Sequence, residues 1–155
     1  MLVRELLDEK KALLLKEELE QENVIELKGD VSIRDAALTM ANGKVSSVIV
    51  RWDGEDGIFT QQDLCEIVAR FGDLDETPLF KRATFEGIRK VTPRTTLGEA
   101  LAEMVYDKSG QRNIVRHLVV VENDKVVGVI SVKDLIISFL MAIRKYEELL
   151  AGQHQ

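Results

Sequence analysis

Cysteine, proline and aromatic residues are scarce in this sequence. Among its 155 residues there is one cysteine, there are two prolines, and aromatic residues make up 5%. A single cysteine can neither form an internal disulfide nor assemble a thiolate metal cluster, which is typical of a reducing compartment and predicts a cytoplasmic protein. Cys65 follows Leu64 in an apolar stretch, so we interpret it as a small core residue rather than a redox sensor.

Long apolar runs and an excess of positive charge are also missing. No run approaches the roughly 18 to 20 apolar residues that cross a bilayer, and the charged opening segment lacks the apolar centre of a signal peptide, so no membrane association is predicted. The formal net charge of −6 repels a polyanion, and few aromatic rings are present to stack bases. These properties argue against nucleic acid as a partner.

Signatures of common enzymes are absent as well. The chain contains no GxxxxGK[ST] phosphate loop, no GxGxxG, no HExxH and no GxSxG elbow. Its two histidines are His117 and His154, and no neighbouring ligands accompany His117, so we predict no metal site, no catalytic residues and no enzymatic activity. A carboxylate pair is the one acid–base arrangement that the sequence leaves open.

Hydrophobic periodicity divides the chain into a helix and two similar halves. Residues 1–22 place apolar pairs at helical spacing and predict an amphipathic helix, packed on the core or on a sister subunit. Residues 23–76 then indicate strand, helix, strand, strand and helix. Residues 77–150 repeat this order, and their final helix, which begins near residue 132, runs well beyond its counterpart in the first half.

Two blocks of sequence match between the halves in the same order. SIRDAALTM (32–40) matches TLGEALAEM (96–104), an offset of 64 residues, and GIFTQQDL (57–64) matches GVISVKDL (128–135), an offset of 71. The second copy therefore has seven extra residues (71 − 64), which we place in the polar stretch 107–113. A period of this size indicates one duplicated supersecondary unit, and two such units would bury their open sheets against each other.

The repeated pattern resembles the cystathionine β-synthase (CBS) domain. It consists of a helix that ends in Met, a strand rich in Val and Ile, a turn, and then Gly-hydrophobic-x-Thr/Ser-x-x-Asp-Leu. Two such units in tandem resemble a Bateman module. The resemblance implies an α/β (α+β) fold in which two β-α-β-β-α units pack sheet to sheet with pseudo-twofold symmetry, accompanied here by the N-terminal helix and the long C-terminal helix.

The resemblance also implies a function. Proteins of this kind bind AMP, ADP, ATP, S-adenosylmethionine or related ligands in clefts and pass the signal to an enzyme, transporter or channel. No effector domain is attached here, so we expect a stand-alone CBS-domain protein, a homodimer, that senses an adenine nucleotide and regulates a separate partner protein without an obligatory cofactor. The alternative is a ligand-independent module for dimerisation or protein interaction, which the long terminal helices would suit.

The matched motif carries a hydroxyl and a carboxylate in each copy. Thr60 and Ser131 stand where a strand gives way to a helix, and Asp63 and Asp134 follow three residues later, which is the spacing of a capping box worth about 1 kcal/mol. Such a helix N-terminus can also seat a phosphate, and the carboxylate can accept hydrogen bonds from a ribose diol. The resemblance assigns the two hydroxyls to phosphate and the two Asp residues to ribose.

The adenine is assigned by family analogy alone, to the strand that enters each unit and the first strand of the hairpin. The residues concerned are Leu27 and Lys28 in the first copy and Val91, Thr92 and Pro93 in the second. The first copy has Gly29 at the position of Pro93, and the second has the insertion. Either difference could reshape a cleft, so the sequence leaves open whether both clefts are used.

Positive charge is unequally distributed between the copies. Arg116, His117 and Lys133 lie near the motif of the second copy, and the sequence match aligns the first two with Val45 and Ser46 of the first copy. An anionic ligand gains charge-assisted hydrogen bonds from such residues, and the alternative is that they form only a solvated charged edge. We therefore predict that the second copy has the site of higher affinity.

Overall fold

The chain folds into two compact units. A computed structural model describes residues 2–8, 24–72, 74 and 76–153. One unit comprises the described residues from 24 to 88, and the other comprises residues 2–8 together with 89–153. This division differs from the sequence-based boundary after residue 76, because Thr84 exchanges hydrogen bonds with Ile58 of the first sheet. Each unit contains a three-stranded sheet and helices, which confirms the mixed α+β class.

The first unit has the predicted order of strands and helices. It is preceded in the chain by the helical segment α1 (residues 3–8), which belongs to the second unit. Of the rest of the helix predicted over 1–22, Leu2 forms an isolated bridge with Thr96, and residues 1 and 9–22 lie outside the described residues, as does Asn23. The following elements are β1 (Glu26–Lys28), α2 (Ile33–Gly43), β2 (Ser47–Trp52), β3 (Glu55–Thr60) and α3 (Gln61–Arg70). β2 lies at the centre of the sheet, parallel to β1 and antiparallel to β3.

The second unit repeats the arrangement. Its elements are β4 (Lys90–Val91), α4 (Leu97–Val105), β5 (His117–Glu122), β6 (Lys125–Ser131) and α5 (Val132–Gly152). β5 is central, parallel to β4 and antiparallel to β6. α5 has 21 residues against 10 in α3, so the long C-terminal helix is confirmed.

Helices α2 to α5 all begin at a capping box, and each unit has its own apolar core. In every box a Ser or Thr hydroxyl accepts the N–H three residues on, and the carboxylate there accepts the N–H of the capping residue. The first core contains Ile33, Ala36, Met40, Val48, Val50, Phe59, Ile67 and Leu79. The second contains Val3, Leu6, Leu7, Val91, Leu97, Ala100, Met104, Leu118, Val120, Ile130 and Leu135. Because α1 supplies three of these, residues 2–8 belong to the second unit.

The strand register corrects the predicted position of the seven extra residues. Ser47 pairs with Thr60, whereas His117 pairs with Ser131, so β2 and β5 are offset by 70 residues (117 − 47) while β3 and β6 are offset by 71 (131 − 60). Six extra residues (70 − 64) therefore lie between α4 and β5. The seventh is Val127, which has no partner in the β5 register and forms a β-bulge. A match of contiguous blocks does not detect a one-residue bulge inside a hairpin.

Two residues of α3, and Phe71 directly after it, are more exposed than predicted. Cys65 is exposed, because the face of α3 that reaches the core is centred on Ile67, about 160° around the helix. Val68 and Phe71, which share the spacing of the predicted apolar face, are 52% and 56% exposed. Arg82 covers Phe71 instead, with its guanidinium carbon 4.0 Å from the ring centroid. The interpretation of Cys65 as a core residue is therefore wrong.

Leu79–Lys81 form a short 3-10 helix that the sequence did not predict. This helix explains why position 29 has a glycine where the second copy has a proline. The Phe80 ring stacks on Trp52, with centroids 4.2 Å apart and planes 6° apart. A Cβ on Gly29 would lie 2.8 Å from the Cβ of Phe80 and 2.9 Å from that of Trp52. Only glycine therefore fits beneath this aromatic pair.

Glycines at equivalent places in β3 and β6 allow another segment to lie against each strand. A Cβ on Gly57 would lie 2.8 Å from the carbonyl oxygen of Thr84 and 2.7 Å from the Phe85 ring. A Cβ on Gly128 would lie 2.7 Å from the Leu7 side chain. The glycine of the repeated motif thus serves packing, against a different partner in each unit.

We expect Gly57→Ala to lower the free energy of unfolding by about 1–3 kcal/mol and Gly128→Ala to lower it less. The first methyl group meets backbone held by two hydrogen bonds, whereas the second meets the end of a leucine side chain that can rotate. Urea unfolding measures both. Gly98→Ala in α4, where a Cβ meets nothing within 4 Å, is the control and should be neutral or stabilising. Equal losses at the two strand positions would contradict this explanation.

Candidate functional site

The two strand-to-helix corners have the same geometry. The Thr60 N–H donates to the Asp63 carboxylate at 2.9 Å, and the Asp63 N–H donates to the Thr60 hydroxyl at 3.2 Å. Ser131 and Asp134 make the same two bonds, at 2.9 and 3.2 Å. The Thr60 hydroxyl also donates to the Asp63 carboxylate at 3.0 Å. The predicted capping boxes are confirmed at both corners.

A capping box alone does not distinguish these corners from the rest of the protein. Ser32 with Asp35 and Thr96 with Glu99 form equivalent boxes at α2 and α4. Those boxes are exposed, whereas the hydrogen bonds at the two corners are partly buried. At the corners, moreover, a strand passes into a helix without an intervening residue. Partial burial strengthens hydrogen bonds to a ligand, so the corners are the better candidates.

Each corner leaves one helix N–H group available. The N–H of Gln61 donates to the carbonyl of Ser46 at 3.0 Å, and the N–H of Val132 donates to the carbonyl of Arg116 at 3.0 Å. The third N–H of each helix is taken by the capping hydroxyl. The second, on Gln62 or Lys133, donates to no acceptor among the described residues. An N–H of this kind, at the positive end of a helix, is a donor for an anion.

The carboxyl of Asp63 is perturbed by its surroundings. Desolvation raises the pKa of Asp63 above its usual value, and the hydrogen bonds from the N–H and hydroxyl of Thr60 oppose that shift. Burial therefore penalises the ionised form at this corner. Hydroxyl groups that donate hydrogen bonds to this carboxylate would stabilise its ionised form. A ribose diol offers two such hydroxyl groups.

The register changes the comparison of charge between the corners. Because β2 and β5 are offset by 70, Arg116 corresponds to Ser46 and His117 to Ser47. The sequence alignment of Arg116 and His117 with Val45 and Ser46 is therefore wrong by one residue, because it did not include the bulge. The conclusion about charge is unaffected: the corner of the second unit has Arg116, His117 and Lys133, where the first has two serines and a glutamine.

The residues predicted to contact adenine do not lie level with the corners. Lys28 pairs with Arg51, four residues along β2 from Ser47, the partner of Thr60, so about 13 Å of strand separates them. Val91 pairs with Val120, three residues along β5 from His117, a separation of about 10 Å. Leu27 is half-buried, Val91 and Pro93 are buried, and Thr92 follows the end of β4.

The chain that enters β1 and β4 lies closer to the corners. The carbonyl of Ile25 accepts the Ile49 N–H at 2.8 Å, and the carbonyl of Arg89 accepts the Val119 N–H at 3.1 Å. Both carbonyls lie at the end of the sheet where β2 and β5 begin. The sequence did not single out these positions, because they present backbone groups near the corners and any residue type supplies those groups.

Arg89 and Asp107 organise the six-residue insertion. The Arg89 guanidinium donates to the carbonyls of Glu103 at 2.8 Å, Met104 at 3.1 Å and Tyr106 at 3.2 Å, and it also donates to the carbonyl of Asn113. These include the last carbonyls of α4, which have no partner within the helix. The Asp107 carboxylate accepts the N–H groups of residues 109 and 111, and the Ser109 hydroxyl lowers the pKa of this exposed carboxyl.

Two classes of feature are absent from the described stretches. Within them, no three His, Cys, Asp or Glu side chains lie close enough together to hold a metal ion. None of the helices in the same stretches combines the length and apolar character needed to cross a bilayer. His154 lies outside the described residues.

Comparison with known proteins identifies relatives. The family model of the CBS domain matches residues 16–70 and again 86–140. A solved CBS-domain structure, 23% identical, aligns with a TM-score of 0.71 over 90% of this chain and 98% of its own. A CBS-domain-containing protein from Agrobacterium tumefaciens is 29% identical, with a TM-score of 0.69 over 89% and 98% of the two chains. A CBS domain protein from Pyrobaculum aerophilum, complexed with AMP, is 25% identical, with a TM-score of 0.59 over 76% and 86%. Among curated proteins there is no match.

Proposed function

The chain belongs to the CBS-domain family, and on that premise we propose that it is a regulatory module that binds an adenine nucleotide and acts on a separate partner protein. The ligand is AMP, ADP, ATP or S-adenosylmethionine, and it is bound reversibly rather than as an obligatory cofactor. The AMP complex of the Pyrobaculum aerophilum relative supports this choice of ligand class. The single cysteine of the chain suits a cytoplasmic location, which is part of the proposal.

The observation that carries the proposal is the pair of matching corners. Each presents, within one turn of a partly buried helix start, a hydroxyl, a carboxylate and an N–H group without an acceptor among the described residues. In the proposed complex the N–H of Gln62 or Lys133 and the capping hydroxyl hold a phosphate, and Asp63 or Asp134 accepts the ribose hydroxyls. The adenine edge is read by backbone groups.

The two corners should differ in affinity for a charged ligand. Arg116, His117 and Lys133 add positive charge at the second corner, which favours phosphate groups. The first corner has no basic side chain at the equivalent positions, and burial raises the pKa of its carboxyl. We therefore propose the second corner as the principal nucleotide site. We retain Leu27, Lys28, Val91, Thr92 and Pro93 only as residues that lie in, or directly after, the strand that enters each unit.

Regulation would follow from differential affinity. A nucleotide can act on a partner only if it binds one conformation of the module more tightly than another, and the shift in population is limited by that difference. The partner would recognise the favoured conformation.

A thermal-shift panel with AMP, ADP, ATP, S-adenosylmethionine and NADH tests the proposal. A ligand at about 100 times its dissociation constant stabilises the protein by roughly 2.7 kcal/mol, which corresponds to a rise in Tm of about 5–10 °C for a chain of this size. We expect Asp134→Ala to remove most of this rise and Asp63→Ala to remove less. Asp35→Ala is the matched control, since it also removes the acid of a capping box but at an exposed helix start.

The controls separate failure of the site from failure of the function. A rise that persists in both Asp63→Ala and Asp134→Ala would mean that the nucleotide binds elsewhere. No rise with any ligand in the unaltered protein would instead favour a ligand-independent interaction module. The exposed apolar side chains of α5 are the observation that supports this second candidate.

A further inference from the structure

An exposed aromatic pair lies at the end of the first sheet that is away from the corner. Trp52, the only tryptophan of the chain, is the last residue of β2 and is 39% exposed. It stands five residues along β2 from Ser47, the partner of Thr60, so about 17 Å of strand separates it from the corner of this unit. The aromatic pair is therefore distinct from the proposed nucleotide site.

The pair is held in place by three segments of the chain. The Phe80 ring stacks on Trp52 with centroids 4.2 Å apart, and Gly29 lies against the Cβ atoms of both residues. Trp52 also pairs with Glu55 across the two-residue turn 53–54, in which both residues have a positive φ. A side chain held in this way loses little conformational freedom on binding, and tryptophan is enriched at binding hot spots.

Glu55 lies on the same face of the sheet as Trp52. The two residues are directly opposite each other in an antiparallel register, so their side chains are neighbours. On the other face, Arg51 binds the acids of both neighbouring strands, at 3.3 and 3.1 Å, and Lys28, which pairs with Arg51, lies on that face as well. Among the described residues, Glu55 has no ion-pair partner.

Negative charge exceeds positive charge around the aromatic pair. Asp30 and Asp53 are both exposed, and they directly follow Gly29 and Trp52 in the chain. Five acids and three bases, a net charge of −2 (3 − 5), belong to the three segments that build this end of the unit, which are residues 26–30, 51–56 and 79–81. A cationic group is therefore favoured beside Trp52.

We propose that Trp52, Phe80, Asp30, Asp53 and Glu55 form a docking patch for an arginine-containing segment of another protein, and we call these five residues the Trp52 patch. A planar guanidinium can stack on an indole and also donate hydrogen bonds to carboxylates. A lysine ammonium is not planar and fits such a site less well. The patch is a binding surface beyond the nucleotide corners, and binding to it does not require a nucleotide.

The second unit has an arginine at the equivalent place. Glu122 is the counterpart of Trp52, because it is likewise the last residue of its strand and pairs across a two-residue turn, with Lys125. The guanidinium of Arg4, from α1, donates to the Glu122 carboxylate at 2.9 Å. The hairpin of the second unit thus receives an arginine from a separate segment, whereas no described residue supplies a base to Glu55 in the first unit.

Titration of the full chain with a synthetic peptide tests the proposal, because the fluorescence of the single tryptophan reports the Trp52 patch directly. The probe is an acetylated and amidated peptide in which arginine alternates with glycine and serine. We expect a saturable change in emission that added salt weakens. The same peptide with lysine in place of arginine should bind several-fold more weakly. No saturable change with the arginine peptide, or equal binding of the lysine peptide, would overturn the proposal.

Neutral substitutions test the acids of the patch while the tryptophan remains as the reporter. A variant with Asp30→Asn, Asp53→Asn and Glu55→Gln keeps the shapes of the side chains and should bind the arginine peptide at least about tenfold more weakly.

The matched control removes three exposed acids outside the patch, one of them in the turn of the second hairpin. It consists of Asp124→Asn, Glu147→Gln and Glu148→Gln. Because it changes the net charge of the chain by the same amount, it should leave the affinity within about twofold. Equal losses in the two variants would show that the peptide responds to the overall charge of the chain, and would refute the patch.

The role of the indole is tested by Trp52→Leu, with titration calorimetry in place of fluorescence. We expect the affinity for the arginine peptide to fall at least about tenfold while the circular dichroism spectrum is retained. An unchanged affinity would contradict stacking on Trp52.

Ionic quenching of the unaltered protein tests the charge of the patch without any substitution. Relative to N-acetyltryptophanamide, caesium ions should quench the Trp52 emission more efficiently than iodide ions do at low salt. A preference for iodide would contradict a negative surface around Trp52. None of these experiments contains a nucleotide, so their outcome is independent of the proposed function.

Discussion

Replacing Arg89 by methionine is expected to lower the free energy of unfolding by about 2–4 kcal/mol. Arg89 is half-buried, and its guanidinium donates to carbonyls at the end of α4 and in the insertion. Methionine keeps most of the apolar stem but has no donor, so the partly buried carbonyl of Glu103 loses this partner, and the carbonyl of Met104 keeps only the Val115 N–H. The exposed carbonyls of Tyr106 and Asn113 lose the group that ties the insertion to α4. Urea unfolding monitored by circular dichroism measures the loss.

A conservative variant and a matched control sharpen this prediction. Arg89→Lys keeps the charge but not the planar fork that reaches several carbonyls at once, so we expect it to recover only part of the loss. Arg94→Met removes an exposed arginine for which no side-chain hydrogen bond is found among the described residues, and it should change stability by less than about 0.5 kcal/mol. If Arg89→Met also changed the free energy of unfolding by less than about 0.5 kcal/mol, the Arg89 guanidinium would not be the group that holds the insertion in place.

Giving the second corner the residues of the first is expected to weaken ATP binding by about 10- to 100-fold. The variant combines Arg116→Ser, His117→Ser and Lys133→Gln, which reproduces the equivalent residues of the first unit. Charge-assisted hydrogen bonds to phosphate are lost, while the capping hydroxyl and carboxylate remain. Titration calorimetry should show a much smaller loss for adenosine, and the salt dependence of ATP binding should become weaker.

The control for this experiment removes two positive charges elsewhere in the same unit. Lys125 lies in the hairpin at the opposite end of β6 from Ser131, and Arg94 is an exposed turn residue. Arg94→Ser with Lys125→Gln should leave ATP affinity almost unchanged. An equal loss in both variants would point to the overall charge of the unit, and no loss in the corner variant would refute its ranking as the tighter site.

Elements with a local cause were predictable from the sequence. Helices α2 and α4 begin where Ser32 and Thr96 precede an apolar face, because capping and helical spacing act within a few residues. The corners at Thr60 and Ser131 were predictable for the same reason, and their duplication made the fold recognisable. Errors arose where the cause is distant in sequence: nothing near Cys65 indicates which face of α3 the core covers.

Sequence by itself determined the repeat, the order of strands and helices, and the residue types at the two corners, because hydrophobic spacing and caps are properties of neighbouring residues. Only the tertiary structure decided the bulge at Val127, and with it the true counterparts of Arg116 and His117, since a register is set by pairing between strands. The reach of Arg89 to the carbonyls of α4 was likewise decided only in three dimensions, where residues 14 to 24 positions apart come into contact.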